Sequence, residues 1–562
     1  MTTEPTGDAP TTTPTSPTTP TGTKPTADVP GRGARLRRGL ARGLTALLVL
    51  GVTAGVVVAG TRYAPPAAPE AVDLPRVAVD AAATRLVCPG ALRLATEPEP
   101  GDDVAYDPQF DPSPGESTVT VRAATVEPAA GQDRDDAGAG RLTDLAGEAT
   151  TAELEPVGAG DVVGVQAPAS TPVIEVRPAG HVAAWAAGAV GVTTALGDLR
   201  GLAAASCQRA SAQTWLVGGS TSLGSSARLV LQNPGRTAAT VRVDLWGPSG
   251  AVELAGAPEF LVPAGAERVV LLEGVAAEQS RIVTRLTSSG GVVSAYLQDS
   301  QLRGLVPAGV DYVVAGQEPA TRQVVPALSV TATQLEGADT SVLRLLAPAD
   351  DATATITLHG RDGEVLLPGA QQVELDAGVV LDLPLDGLPV GDYTAVVESD
   401  VPVVAGALLT RGAGVGLPAA GTGSQLPLDR AWVPSSDTSA SGGGVLALPA
   451  GTDGRLVVGV TGESGAPADV ALEVLDQTGA VVGEADLTLQ AGTTTSLALS
   501  ALATAGGAGV VPQPAAVVVR TDDDRVAWAA VLLTPDPAGD LVSVLAPVTA
   551  PALQPDVGVR TR

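Results

Sequence analysis

Only 2% of the chain is aromatic, so any core must be built from Val, Leu and Ala. Lysine and asparagine occur once each, at Lys24 and Asn233. Of the two histidines, His181 and His359, neither stands in HExxH or beside a cysteine at ligand spacing, and no P-loop or Gly-x-Ser-x-Gly elbow occurs. Ser–His–Asp, Cys–His and zinc chemistry are therefore poorly supplied. A Ser–Lys dyad would depend on Lys24, which the topology below puts on the other side of a membrane from the body. No catalytic residue, metal ligand or cofactor site is assigned. Positive charge is scarce beyond the N-terminus. Residues 1–61 carry a formal +3, leaving −31 for the rest. Such a body lacks the Lys/Arg stripes that phosphate backbones need, so nucleic acid is excluded as a partner.

What is present is length, with 562 residues, 67 glycines and 46 prolines. That is several domains with many turns. Residues 1–38 are rich in Thr and Pro, then basic from Arg32, and read as a disordered cytoplasmic tail. Residues 39–61 follow, uncharged from Gly43 to Thr61, and are expected to be a transmembrane signal-anchor. The flanking arginines place the N-terminus inside and the body outside. Cleavage as a signal peptide is the competing reading, with Val57-Val58-Ala59 offering a small-residue exit. The protein would then be secreted instead of held in the cell membrane. A linker is expected at 62–75.

The body repeats itself. An opening strand occurs at Thr84–Pro89, Thr214–Gly219, Thr321–Pro326 and Asp429–Pro434. A strand–turn–strand–turn block occurs at Ala227–Gly250, Ser341–Gly363 and Arg455–Gly479. Its second strand alternates, with Val241, Val243 and Leu245 on one face, and closes on a turn with Gly last. In the first copy, 101–160 is acidic and the block is not clear. A closing strand–turn–strand, read as a hairpin, occurs at Val173–Val190, Arg281–Gln298, Thr394–Arg411 and Ala516–Leu533. The expected fold is all-β, with tandem Ig-like β-sandwich modules at 76–211 (with an acidic insertion), 212–312, 321–413 and 429–548, and a tail at 549–562. A β-propeller is the alternative, but its 40–45-residue blades fit the repeat less well.

Cys88 and Cys207 are the only cysteines, and both follow the hydrophobic segment. Outside the cytoplasm they are expected to form a disulfide within the first module. It would join the end of the first strand to a point just past the last hairpin, where first and last strands can run parallel. His359 falls where other copies have Trp246 and Leu475, an interchangeable outer position. Trp185, Tyr296 and Trp528 fall at related positions in the closing blocks, with Gly406 in the third. They suit core or interface plugs, or an aromatic platform for sugar. Acidic groups at Asp102-Asp103/Asp107/Asp111, Asp133/Asp135-Asp136 and Asp522-Asp523-Asp524 read as solvated loops, with calcium binding the alternative. Carboxylate pairs for glycoside hydrolysis are not singled out by position.

The Pro/Thr-rich tail, the arginine-flanked span, the β-modules and Cys88-Pro89-Gly90 together resemble an uncharacterised actinobacterial family of membrane-anchored secreted proteins. The bias towards Ala, Gly, Val, Arg and Pro is similar to that of high-GC actinobacterial genomes. The resemblance brings no catalytic residues. It implies an envelope role, since members are often encoded near a glycosyltransferase. The expected function is a non-catalytic scaffold or interaction protein of the cell envelope. Its partners would be the membrane through the N-terminal helix, and envelope proteins or wall glycans. The alternative is a protein that binds or processes wall polysaccharide.

Overall fold

A computed structural model describes residues 45–56 and most of 76–558; the longest undescribed stretches within the latter are 95–115, 127–138 and 413–425. The expected tail and linker, His181 and the acidic groups at 102–111 and 133–136 lie outside the described residues. The chain divides into two units, Met1–Arg76 with Gly558–Arg562, and Val77–Val557.

In the first unit, 45–56 is a helix with exposed side chains, Leu47, Leu48, Leu50 and Val56 among them. Twelve residues rise only about 18 Å. No helix among the described residues is long and apolar enough to cross a membrane. The remainder of the expected span, 39–44 and 57–61, lies outside the described residues.

The second unit is all-β and antiparallel in every named pairing. The same two-sheet pattern occurs four times. In the second repeat, Gln213–Val217, Val283–Ser289, Ala239–Gly247 and Gly250–Val252 form one sheet in that order. Glu267–Leu271, Ser225–Gln232, Ser294–Arg303 and Val306–Val313 form the other. The two sheets enclose one apolar core, including Leu229, Leu231, Val241, Val243, Leu245 and Leu297. The alternation read from Val241 to Leu245 points into this core. Its hairpin turns on Gly247–Gly250, and Gly250 takes φ 116°, as Gly363 takes 119° in the third repeat. A side chain there would be strained.

Three readings need correction. The closing block is not a hairpin. Its two strands lie in opposite sheets, Val283–Ser289 in the first and Ser294–Arg303 in the second. In the third repeat the chain never breaks, and Gly391–Arg411 is one 21-residue strand serving both sheets. An immunoglobulin domain keeps its first two strands in one sheet, whereas here Gln213–Val217 and Ser225–Gln232 lie in opposite sheets, so the strand order differs. Next, the first repeat does have a middle block. Ser117–Val126 pairs with Gly160–Gln166 and Trp185–Thr194, while Gly140–Thr143 pairs with Val173–Val176. Finally, Asp429–Pro434 does not open the fourth repeat. It pairs with Gly406–Arg411 and ends the third, and the opening position in the fourth is taken by Gly444–Ala447, which pairs with Ala516–Arg520.

Each repeat therefore ends on a closing strand at the edge of its second sheet: Gly201–Ser206, Val306–Val313, Asp429–Pro434 and Leu541–Leu545. Each of these strands contacts the next, and the last contacts the first, so the repeats close into a ring. The second sheet of each repeat is covered on both faces. One face meets its own core and the other meets the preceding repeat. Val457, Ala529, Val531 and Val542 of the fourth repeat join the third repeat's core. Val230, Tyr296 and Tyr312 of the second join the first's. Ala124, Ala189, Leu202 and Ala204 of the first join the fourth's. Double burial explains why runs such as Val526–Thr534 are continuously apolar instead of alternating. Circular closure is a propeller's device, but the unit here is a pair of sheets.

Candidate functional site

The ring brings four closing strands to one axis. Each is the edge of its sheet, and a buried edge carries backbone N–H groups that must find acceptors. Carboxylates supply them. Asp311, in the second repeat, accepts from Trp432 N of the third at 2.7 Å and from Ala204 N of the first at 3.3 Å. Ser543 of the fourth donates to the same carboxylate at 2.9 Å. One side chain thus ties its own repeat to the other three. Asp429, in the third, accepts from Leu202 N at 3.0 Å and Val542 N at 2.8 Å, joining the first and fourth. Asp299 accepts from Arg430 Nη1 at 3.0 Å and Trp432 Nε1 at 2.9 Å. Arg200 reaches Asp536 at 2.7 Å.

Asp299, Asp311, Asp429 and Ser543 are fully buried. Burial pushes the Asp429 carboxyl up to about 7, against the pull of its N–H donors and Arg200. Burial also holds Asp311 well above the usual carboxylate range, against its donors. Neither solvent nor substrate reaches these groups. The Ser543–Asp311 pair looks like the start of a nucleophile relay, but Ser543 Oγ also accepts from Ala204 N at 2.9 Å, in the closed core.

Above the axis the chains leaving the closing strands diverge around an open basin of about 610 Å³. All four repeats line it, through Gln208 and Arg209, Gly316 to Pro319, Pro434 to Ser436, and Ala546 to Thr549. Cys207 stands in its wall, bonded to Cys88 with 4.0 Å between Cα atoms. The disulfide joins the end of the opening strand to the end of the closing strand. The neighbouring Val87–Gln208 bridge is antiparallel, not parallel.

A family model described as a family of unknown function (DUF5719) matches residues 162–500, more than half of the chain. The chain belongs to that family. No curated protein and no solved structure matches. The matched region of this DUF5719 chain begins in the first repeat and ends in the fourth, so it includes most of the ring and three of its seams.

Several of the residues singled out by sequence lie at seams between repeats. His359 is not an outer position. It is 3% exposed, Trp246 is 8% and Leu475 is 0%, because this end of the strand faces the next repeat. The His359 carbonyl accepts from Thr494 of the fourth repeat at 2.7 Å. Trp246 stacks on Trp215 at 5.3 Å, with Arg285 over both rings, against Leu346 and Val404 of the third. The three closing-block aromatics form no common platform. Tyr296 bonds Gly90 N at 3.0 Å across a seam and Trp528 is buried in a core. Trp185 lies beneath Arg520 of the fourth repeat. Gly406 packs against Val217 of the second. Asp523 of the last acidic group pairs with Arg525, and no group of three or more potential metal ligands occurs among the described residues.

Sequence reasoning missed a recurring arginine. Arg122, Arg228, Arg344 and Arg455 occupy the second sheet's outer face in successive repeats, all half-buried or buried. Arg344 donates to Gly219 O at 2.7 Å in the preceding repeat, and Arg455 to Asp392 at 2.6 Å in the preceding repeat. The Arg-Leu pairs 228–229, 344–345 and 455–456 were the available signal.

Proposed function

We propose that this chain is a scaffold or interaction protein of the cell envelope, anchored in the membrane by its N-terminal segment and without catalysis of its own. The ring supports this reading. Its axial carboxylates are spent on joining repeats, and the axial Ser543–Asp311 pair is sealed from substrate. Four β-sandwich units of immunoglobulin-like layering, locked together, make a rigid body with a large outer surface. The extracellular placement rests on the arginines before 45–56, the exposed apolar side chains of that helix, and a disulfide at Cys88–Cys207.

Cross-linking on intact cells, followed by recovery of the full chain, tests this reading. A reproducible set of envelope partners is expected. Glycan hydrolysis by the purified chain, abolished by one Asp or Glu substitution, overturns it. Protease added to spheroplasts should remove the body and spare the tail. A mature protein that begins near Gly60 in the medium would instead establish cleavage.

A further inference from the structure

We propose that the axial basin binds a short neutral saccharide. It lies where four repeats meet, and small-ligand sites favour such junctions. Its volume of about 610 Å³ falls within the range of about 300–1,000 Å³ typical of them.

The lining argues for the ligand class. Ser211, Ser436, Gln208 and Gln213 contribute hydroxyls and amides, the mixed donors and acceptors that suit sugar hydroxyls. Pro319, Pro434 and Pro547 contribute flat apolar walls for C–H faces. Gln208 is pre-set: its Oε1 accepts from Ala315 N at 3.2 Å, leaving Nε2 to donate. Charge nearly cancels, with Arg209 and Glu318 one of each sign. The surrounding body is strongly acidic and repels anions, so an uncharged ligand is favoured over a uronic or phosphorylated one.

This goes beyond scaffolding, because a ring can gather partners with its basin empty. Capture of cross-linked partners and sugar binding therefore succeed or fail separately.

Saturation-transfer NMR on the full chain in a detergent without a sugar headgroup tests the proposal. The probes are cellotriose, tri-N-acetylchitotriose, mannotriose and galactotriose, with trigalacturonate as the anionic control. At least one neutral trisaccharide should bind, and both Gln208→Ala and Gln213→Ala should weaken it about tenfold. Gln213 is exposed, so its variant should fold as the native chain does and keep the test readable if Gln208→Ala is unstable. No transfer to any neutral trisaccharide overturns the proposal. So does binding indifferent to both substitutions, or trigalacturonate binding as tightly as the best neutral trisaccharide.

Discussion

Asp311→Ala should weaken the whole ring, and its cost can be worked donor by donor. Trp432 N loses its acceptor at 2.7 Å in a buried seam. An orphaned buried donor costs about 1–3 kcal/mol. Ala204 N and Ser543 suffer less, because Ala204 N also bonds Ser543 Oγ at 2.9 Å. Adding the void left by the carboxylate gives about 2–4 kcal/mol. Asp311→Asn keeps one acceptor oxygen and should cost less. The decisive quantity is coupling. Ser543→Ala should be non-additive with Asp311→Ala by about 1 kcal/mol, as contacting groups are. These residues lie 232 positions apart, in the second and fourth repeats. Urea unfolding of the two single variants and the double variant measures this. An Asp311→Ala effect below about 0.5 kcal/mol with strict additivity would refute the axial staple.

Other expectations follow from the same seams. The Asp429 carboxyl is raised to about 7 from an unfolded value near 4, so its contribution is complete below about pH 4 and is lost as pH rises through about 7. Asp429→Asn should flatten that part of the stability–pH curve, and equal slopes in the two proteins between pH 5 and 8 would exclude it. Gly459→Val should open the third–fourth seam, because a Cβ there would lie 2.1 Å from Thr394 Oγ1. A loss above about 2 kcal/mol is expected in denaturant melts, whereas an unchanged midpoint would mean that the seam is loose. Reducing the Cys88–Cys207 bond should cost about 2–4 kcal/mol, and an unchanged melting temperature with both thiols titrated would contradict that.

The sequence made the individual strands visible more readily than their partners. Val241–Leu245 alternates because only one of its faces meets a core, and the following turn needs Gly250, so both could be read locally. Whether a turn returns along a sheet or crosses to the opposite one leaves no local mark, so the closing blocks look like hairpins in sequence. The closing strands were harder. Gly201–Ser206 and Leu541–Leu545 are short apolar runs buried on both faces, so they lack a period. Asp429–Pro434 resembles an opening strand in composition, although it closes the preceding repeat. The axial carboxylates were not distinguishable from solvated acids, since burial of Asp311 arises only when four distant strands converge. The cysteine pair was legible from count, since Cys88 has no other cysteine than Cys207 to bond.

Amide hydrogen exchange, read residue by residue in the intact chain, tests ring closure most directly. Leu202, Ala204, Trp432 and Val542 lie on the edges of their own sheets, yet each donates to a side chain from another repeat. Their amides should exchange among the slowest in the protein, at rates set by global unfolding. Exchange at these four positions as fast as in exposed edge strands would mean that the repeats are separate beads and that no ring is closed.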